Sequence, residues 1–598
     1  MGLQRLIALI MFAVGLYLLG RDAATMLADT GHGPEALDAL WRRLDASSLS
    51  SVQAFVETHL PRSVWDPGVA AILRLPAWSL PLGFGGGLLL LSLLRTAWLT
   101  DDAFITFRTA DNILNGYGPV WNVSERVQTF THPLWLGLCT LAFGLTGNVY
   151  YTAIALSVAL TFVCVWILGT RLAPTPQRLV LCFAAMLSSK AWIDYSTSGL
   201  ENPLTHLLVL VFAWQWYDAP PGGARVRRLS LLGALCALNR LDLILIVAPA
   251  LVVETYRHGL RASVRPLVES LLPLAAWEAF SVFYYGTPFP NTAYAKLNTA
   301  FTFWIRLQRG EDYVLRTLTD DPTTLPTMAL ASLATWHTWR RSESALLAGL
   351  LLYVAYVISI GGDFMMGRFF SAPFAVSLAI LARAPYPRAA VVTAVGLLGI
   401  GLLAPWEPAL LSGSGYAFAR ARLFGPATAS PFDRIPYLEE RHVFDERRYY
   451  YETSGMLKVG LRNQVMHGWA ADGLDARARG RQVVVLGPIG FFGYYAGPEV
   501  HIIDDLALAD PLLSRIPGGA ADSIAGHFKR QLPRGYLETV RDGSNRLKDP
   551  DLAAYYDALH MVTAGPLLSS GRLLVLGRWL AGSYDHHLHR YLESTRPK

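Results

Sequence analysis

The sequence has little charge and few cysteines for its length. Only 16% of its 598 residues are Asp, Glu, Lys or Arg, and 53% are hydrophobic, whereas soluble globular domains carry about 25% charged residues. This balance argues against an ordinary soluble protein and indicates a chain with many membrane-spanning helices. The four cysteines, Cys139, Cys164, Cys182 and Cys236, all stand in apolar runs, which favours small buried side chains over disulfides or metal ligands.

Two further patterns are missing. The sequence has no stripe of Lys and Arg with interleaved aromatic residues, so nucleic acid is not predicted as a partner. It also lacks the phosphate loop of an enzyme that uses nucleotide sugars. The segment GPIGFFG at 487–493 has one residue too many between its first glycines to match G-x-G-x-x-G, and we interpret it as a structural turn.

Long apolar runs fill most of the first 405 residues. A hydrocarbon core of roughly 30 Å needs about 20 apolar residues, and the runs predict spans at 76–98, 149–170, 178–194, 199–217, 229–240, 242–256, 267–285, 325–338, 344–361, 370–384 and 388–405. The segment PLWLGLCTLAFGLTG at 133–147 is expected to lie along or dip into the membrane. With a further hydrophobic helix near residues 3–20, the predicted fold is a polytopic α-helical membrane protein with about 11–12 spans.

Three basic connections predict the orientation of these spans, because Lys and Arg mark cytoplasmic loops. They lie around Arg225 to Arg228, from Arg257 to Arg265, and at Arg340 and Arg341. If all three connections are cytoplasmic, the number of membrane crossings between them requires 229–240 and 242–256 to form a hairpin with its tip outside. The other segments on the outer face are residues 99–132, DYSTSGLEN, YYGTPFPNTAYAK, GGDFMMGRF and everything after residue 405.

The composition divides the chain into three parts. Residues 1–75 hold a hydrophobic helix and a loop of open topology, and residues 76–405 form the predicted transmembrane core with the outer loop 99–132. Residues 406–598 carry charge clusters, the strand-like segment RQVVVLG and no long apolar run. The last part is therefore predicted to be an extracytoplasmic α/β domain.

Two adjacent aspartates, Asp101 and Asp102, follow directly on the run at 76–98. A charge near the bilayer is costly, so the pair needs an explanation. Asp is a favoured helix N-cap, and both residues would serve as caps in water. Alternatively, one is a general base that accepts the proton of an attacking sugar hydroxyl and the other supports it.

Five ordered motifs resemble the arabinofuranosyltransferase-like branch of the GT-C superfamily of glycosyltransferases. They are Asp101-Asp102 with RTADNILNGYGPVWN and Glu125-Arg126-Val127, then STSGLENPL, LNRLD, YYGTPFPNTAYAK and GGDFMMGRFF. Near the C-terminus, LGPIGFFGYYAGPEVHIIDDLALADP and GHFKRQLPRGYLE resemble the outer domain of the same family. The likeness covers roughly residues 100–540 and leaves residues 1–75 without a counterpart. The charge rule alone places all five motifs on the outer face, so the two arguments agree.

The resemblance implies a multi-pass glycosyltransferase of the bacterial inner membrane with its active site on the periplasmic or outer face. Nucleotide sugars are absent there, so the donor is expected to be a sugar, most simply arabinofuranose, on decaprenyl or undecaprenyl phosphate. The resemblance further implies a direct inverting displacement with no covalent enzyme intermediate. The acceptor is expected to be a glycan, a glycolipid or a glycoprotein. The other hypothesis is a transporter, flippase or polymerase-like protein that handles lipid-linked sugars.

The resemblance also implies which cations hold the donor. The leaving phosphate monoester is a dianion and needs cationic partners, for which Arg368, Lys296 and Arg108 are the candidates. Each of two candidates has a structural alternative. Arg368 would form an ion pair with Asp363 across a turn, and Lys296 would be a surface lysine whose aliphatic stem lies along the membrane. No cofactor is predicted with certainty. A divalent cation stays an alternative, since two aspartates are too few to demand one.

The remaining polar residues of the motifs are expected to bind the acceptor or to support the site. They are Glu201, Asp363, Arg240, Asp242, Asn291, Glu125, Arg126 and His132. Structural alternatives apply here too. Arg240 and Asp242 suit a pair that holds the hairpin tip, Glu201 suits a helix cap, and His132 suits a capping or packing histidine. Asp102 is the preferred base of the aspartate pair.

Overall fold

The computed structural model describes residues 35–59, 61, 64–74, 79–299, 301–338, 341–383, 392–393, 396, 442–519 and 523–595. The helix expected near residues 3–20, most of the span expected at 388–405, and residues 406–441 lie outside the described residues. The described chain is mainly helical.

The helices before residue 384 are numbered in chain order. They are α1 (Leu37–His59), α2 (Ala70–Leu73), α3 (Ser79–Thr96), α4 (Asp101–Leu114), α5 (Pro133–Thr146), α6 (Val149–Ile167), α7 (Pro176–Ser188), α8 (Lys190–Tyr195), α9 (Asn202–Asp218), α10 (Gly223–Asn239), α11 (Ile244–His258), α12 (Leu260–Tyr285), α13 (Asn291–Leu297), α14 (Phe303–Asp320), α15 (Thr324–Thr338), α16 (Arg341–Ser359) and α17 (Ser371–Arg383).

The predicted apolar runs before residue 384 form helices, and three of these helices differ clearly in their bounds; that of the 229–240 run begins at Gly223. The run at 178–194 is broken at Ser189, whose side chain accepts a hydrogen bond from the Trp192 N–H and so begins α8. The helix of the 267–285 run begins earlier, at Leu260, since the basic residues before the run form its first turns. By length and composition, two helical segments of the described chain are long and apolar enough to cross a membrane, Val149–Leu172 and Leu260–Tyr285, and several apolar helices are shorter.

The helix α14 has no counterpart among the predicted runs. Its polar and apolar residues alternate around the helix, so no long apolar run marks it in the sequence. Tyr313 and Thr317 are buried on one face, whereas Phe303 and Trp304 are exposed on the other. At Gly310 an added Cβ would lie 2.2 Å from the Ile358 carbonyl oxygen. The missing side chain therefore allows α14 to pack closely on α16.

The ends of the long helices form two sets, and the members of each set contact one another. In the first set, Arg383 of α17 contacts Asp218 at the end of α9, and Arg227 of α10 contacts Glu269 of α12 at 2.7 Å. This set contains the basic connections around Arg225 to Arg228 and from Arg257 to Arg265. The second set holds the segments between α3 and α4, α8 and α9, and α10 and α11, together with the segment before α17. The chain alternates between the two sets, as the charge count requires.

The described C-terminal residues form helices and a small sheet. The helices are α18 (Glu446–Ser454), α19 (Met456–Val459), α20 (Gly468–Ala478), α21 (Gly490–Ala496), α22 (Tyr536–Asp542), α23 (Pro550–Ala564), α24 (Ser570–Leu580) and α25 (Asp585–Thr595). RQVVVLG supplies the strand β1 (Gln482–Leu486), which pairs in parallel with β2 (Val500–Asp504), in a register from Gln482 opposite Val500 to Leu486 opposite Asp504.

These C-terminal residues share their apolar cores with the first part of the chain. Phe104 of α4 packs edge-on against Phe491 of α21, with ring centroids 4.9 Å apart. Ile105 and Trp121 join Ile489 and Ile502 in a second cluster. The described C-terminal residues pack as neighbours of α4. A separate α/β domain at 406–598 and the boundaries at residues 75 and 405 therefore stay predictions.

Candidate active site

Asp101 and Asp102 begin α4, but their carboxylates have different surroundings. Asp101 is buried, and its two oxygens accept hydrogen bonds from the backbone N–H groups of Gly490 at 3.1 Å and Phe491 at 2.6 Å. Asp101 therefore caps the first turn of α21 from a distant part of the chain. Burial, only partly offset by these bonds, raises the pKa of Asp101 to about 7.

Asp102 is the less buried member of the pair. Among the described residues, none donates a hydrogen bond to its carboxylate. Its charge acts on Arg368, on Glu446 and on His527, so these three side chains lie round it. A partly exposed carboxylate next to a fixed cation fits the base that the motif predicts.

Glu201 lies at the centre of a buried charge cluster. Its carboxylate contacts Arg240 at 2.9 Å, Arg368 at 3.1 Å and the His132 imidazole at 3.4 Å. Burial alone would raise the pKa of Glu201, but Arg368, His132 and Arg240 hold it well below its usual value. Glu201 is fully buried, so its carboxylate orients two guanidinium groups and is not itself open to an acceptor.

His132 is neutral at ordinary pH in this cluster. Burial lowers the pKa of its imidazole to about 4. Its Nε2 lies 2.7 Å from the Thr106 hydroxyl, and its Nδ1 faces Glu201. A neutral ring with the proton on Nδ1 satisfies both contacts, because that nitrogen then donates to the carboxylate and Nε2 accepts from the hydroxyl.

Arg240 and Asp242 form a two-pronged ion pair at the tip between α10 and α11. The Arg240 Nε and Nη2 donate to the two oxygens of Asp242 at 3.0 and 2.6 Å. The Tyr353 hydroxyl also donates to Asp242, at 3.1 Å. This is the geometry of a pair that holds the hairpin tip, and it ties that tip to Glu201.

Arg368 is anchored on one side only. Its Nη2 bonds to Glu201, its Nη1 lies 3.8 Å from Asp363, and its buried Nε has no hydrogen-bond partner among the described residues. One oxygen of Asp363, Oδ2, likewise accepts no hydrogen bond from the described residues. The loop that carries both side chains thus presents unsatisfied polar atoms beside Asp102.

Lys296 reaches the same region from α13. It is exposed, and its side chain lies beside Gly526 in the segment GHFKR. The neighbouring His527 ring meets the Phe364 ring edge-on, at 4.3 Å between centroids. Its Nδ1 is buried without a hydrogen-bond partner in the described chain. His527 is not among the predicted site residues, because the resemblance of GHFKRQLPRGYLE implies no individual site residue.

Four predicted site residues lie at the junction with the C-terminal residues. Arg108 donates to the carbonyls of Trp121, Gly493 and Val500. Arg126 donates to two carbonyls at the end of α23, and Asn291 to three carbonyls between 507 and 510. Glu125 accepts from Asn122 and lies 3.8 Å from His501. These contacts anchor one part of the chain to the other. The donor-phosphate role of Arg108 gains no support from them.

Glu446 at the start of α18 is a site residue that the motifs did not single out. It is buried, and its Oε2 accepts a hydrogen bond from the Thr100 hydroxyl at 2.9 Å. The only sequence signal is its place in the charged stretch FDERRYYYE. As for metals, the described residues contain no group of three or more His, Cys, Asp or Glu placed to hold an ion. The divalent cation stays an untested alternative.

Comparisons with known proteins follow the same direction as the motifs. No family model matches the chain. The terminal β-(1→2)-arabinofuranosyltransferase of Mycobacterium tuberculosis is 27% identical, over 73% of this chain and 81% of the relative. The enzyme of the same name from Corynebacterium glutamicum is 28% identical over 47% of each chain. By these comparisons the chain is similar to arabinofuranosyltransferases. It is a membrane glycosyltransferase.

A solved structure also resembles this glycosyltransferase at a lower level. It is ArnT from Cupriavidus metallidurans bound to undecaprenyl phosphate, with a TM-score of 0.43 and 14% identity over 73% of this chain and 89% of that chain. A likeness of this size supports no inference about the site. The assignment of individual residues depends on the contacts described above.

Proposed function

We propose that the enzyme transfers arabinofuranose from a polyprenyl phosphate to a hydroxyl of an acceptor glycan, glycolipid or glycoprotein. The names of its two relatives support the sugar. The observation that carries the proposal is the unbonded carboxylate of Asp102, next to the partly satisfied guanidinium of Arg368 and the buried, unpartnered Nδ1 of His527. A base and phosphate-binding groups are thus held side by side.

The proposed reaction is a single displacement with inversion. Asp102 accepts the proton of the acceptor hydroxyl as its oxygen bonds to the anomeric carbon. The bond from that carbon to the phosphate oxygen breaks, and its electron pair leaves with the polyprenyl phosphate. Arg368 and the exposed Lys296 stabilise the dianion that forms, which is the step where fixed cations lower a barrier most. Asp101 supports the base by fixing the start of α4 to α21.

A lipid-linked donor fits the helical part of the enzyme. A polyprenyl tail is compatible with the lipid-facing surface of apolar helices such as α12, whose side chains Val264, Val268 and Leu272 are exposed. The phosphate would then lie at the helix ends, where Arg368 and Lys296 are found. The absence of a dinucleotide-type phosphate loop in the sequence is also in keeping with this donor.

The proposed setting is the outer face of the bacterial inner membrane. The chain would cross it with about 11–12 spans, in residues 76–405 and in the hydrophobic helix near residues 3–20. The motif segments contact one another or the C-terminal residues, which supports one side of the membrane for all of them. The opposite helix ends carry the basic connections, and the positive-inside rule favours the cytoplasm for them. Residues 406–598 would then form the extracytoplasmic part.

The test is turnover by detergent-purified enzyme given a polyprenyl-phospho-arabinofuranose and an arabinan acceptor. We expect release of polyprenyl phosphate and no turnover of a nucleotide sugar. The variant Asp102→Asn keeps the shape of the side chain but accepts the proton poorly, so it should lose about 10²–10⁴-fold in kcat. Asp111→Asn, the same change on the same helix, is the control and should retain normal turnover. Normal turnover by Asp102→Asn would refute the assigned base.

A further inference from the structure

A short C-terminal segment enters the site between two of the motif segments. The N–H of Phe444 donates to the Phe364 carbonyl at 2.6 Å, and the Phe444 carbonyl accepts from the Met366 N–H at 2.9 Å. This pairing fixes the segment to the loop that carries Asp363 and Arg368. Two residues further on, Glu446 bonds to Thr100, the residue directly before the aspartate pair.

Glu446 is not needed to cap its own helix. Asp445 performs that function, because its side chain accepts a hydrogen bond from the Arg448 N–H at 3.0 Å. Nor does Glu446 have a cationic partner among the described residues. Two basic side chains of this region are engaged by other acids: Lys190 contacts Asp445 at 3.1 Å, and Arg447 contacts Asp194 at 3.0 Å.

The groups that face Glu446 from the packed elements are acids and tyrosines. Asp101 and Asp102 face it from α4 and Asp363 from the loop before α17. Tyr195 of α8 and Tyr450 of its own helix lie nearby as well. Burial first, and then the charge of Asp102, raises the pKa of Glu446 well above its usual value. This setting favours the protonated form of the carboxyl group, whose hydroxyl can donate a hydrogen bond.

We propose that the neutral carboxyl group of Glu446 is a positioning residue that donates a hydrogen bond to Asp102 and orients this base toward the acceptor. Thr100 occupies one oxygen of Glu446 as an acceptor, which leaves the other oxygen to carry the proton. The same proton keeps a second negative charge out of the site where the phosphate leaves. This inference depends on the proposed function, in which Asp102 is the base.

The experiment compares Glu446→Gln and Glu446→Ala in the full-length enzyme. A glutamine keeps a neutral donor of the same length, so we expect kcat within about 3-fold of the wild type at pH 7. An alanine removes a hydrogen bond to a charged group, so kcat should fall by about 10-fold or more with the donor KM unchanged. Glu452→Ala, on the same helix and paired with Lys458, is the control and should leave kcat unchanged.

The pH profile provides a second readout that a packing role would not change. Wild-type activity should decline at alkaline pH as Glu446 ionises beside Asp102, and Glu446→Gln should lack that decline. Equal losses in Gln and Ala, or normal activity in both, would overturn the inference. If the Ala variant fails to fold, an alkaline decline in the Gln variant identical to that of wild type overturns it as well.

Asp102→Asn in the same series separates this inference from the proposed function. Normal turnover by Asp102→Asn contradicts the proposed function itself. An inactive Asp102→Asn combined with normal turnover by both Glu446 variants contradicts the role of Glu446 alone.

Discussion

Two neighbouring aspartates with the same chemistry have different surroundings in the structure. Asp101 bonds to the N–H groups that begin α21, whereas Asp102 remains open to the site. The local sequence predicts that one of the two is a base and the other a support. It favours Asp102 as the base but does not predict how Asp101 is held, because the partner of Asp101 is 389 positions away in the chain.

Replacing Asp101 by asparagine should therefore act first on stability. The amide oxygen can accept one of the two N–H groups, and the other loses its partner at a cost of about 1–3 kcal/mol. We expect a lower melting temperature for Asp101→Asn, with kcat reduced far less than in Asp102→Asn. Thermal unfolding and turnover measured on both variants check this. A loss of kcat in Asp101→Asn equal to that of Asp102→Asn, without a change in stability, would reverse the two roles.

The Glu201 cluster shows how far single residues could be assigned from the motifs. Three motifs supplied Glu201, Arg240 and Arg368, and the structure joins them in one network. The sequence left Glu201 open as an acceptor ligand or a cap. Its complete burial between two arginines follows from how three separate helix ends meet, which no local pattern encodes.

At the scale of elements, α4 is the link between the two halves of the chain. Arg108 near its middle stacks on Trp121 at 4.3 Å and bonds to carbonyls of α21 and β2. The position of α4 after an apolar run was predictable. Its packing against a strand and a helix that lie almost 400 residues later was not, because only long-range apolar contacts determine it.

Arg108→Lys tests whether this arginine links elements or binds the donor. Lysine cannot reach three carbonyls in a plane, so buried hydrogen bonds are lost and stability should fall by about 3–5 kcal/mol. In the fraction that remains folded, the donor KM should be unchanged. Arg477→Lys on the exposed face of α20 is the control for the substitution itself. A raised donor KM with normal stability would restore the phosphate role predicted for Arg108.

The junction between the outer loop and β2 contains buried acids that should make stability depend on pH. Burial raises the pKa of Glu125 to about 8, that of Asp504 to about 7 and that of Asp510 to about 6. A carboxyl whose folded pKa is raised binds its proton more tightly in the folded state, so its contribution is lost as pH rises through that value. The melting temperature should therefore fall between pH 6.5 and 8.5.

Histidines do not mask this effect in the chosen window. Burial lowers the pKa of His132 and His501 to about 4, so their cost to stability appears only as pH falls below about 6.5. Thermal unfolding at pH 6.5, 7.5 and 8.5 is the measurement, and Glu125→Gln should flatten the decline. A melting temperature that rises over this range would contradict the raised pKa values.

For the whole molecule, the sequence predicts which helix ends lie together but not how they pack. The charge rule grouped the motif segments on one face, and the structure brings those segments into contact through Thr100, Glu201, Arg240 and Arg368. The helix α14 and the role of Glu446 were missed, because neither an alternating helix nor a buried acid in a charged stretch has a distinctive pattern.

Membrane orientation is the last prediction and concerns the whole chain. The two sets of helix ends must lie on opposite sides, and the basic set is expected in the cytoplasm. Single cysteines at exposed positions report on this: Asn115→Cys and Glu499→Cys should react with an impermeant thiol reagent in intact cells. Arg228→Cys and Arg261→Cys should react only after the membrane is opened. The four native cysteines are buried, so the background is low. Labelling of residue 115 only in opened cells would contradict both the outer-face orientation and the access of the active site to an outer acceptor.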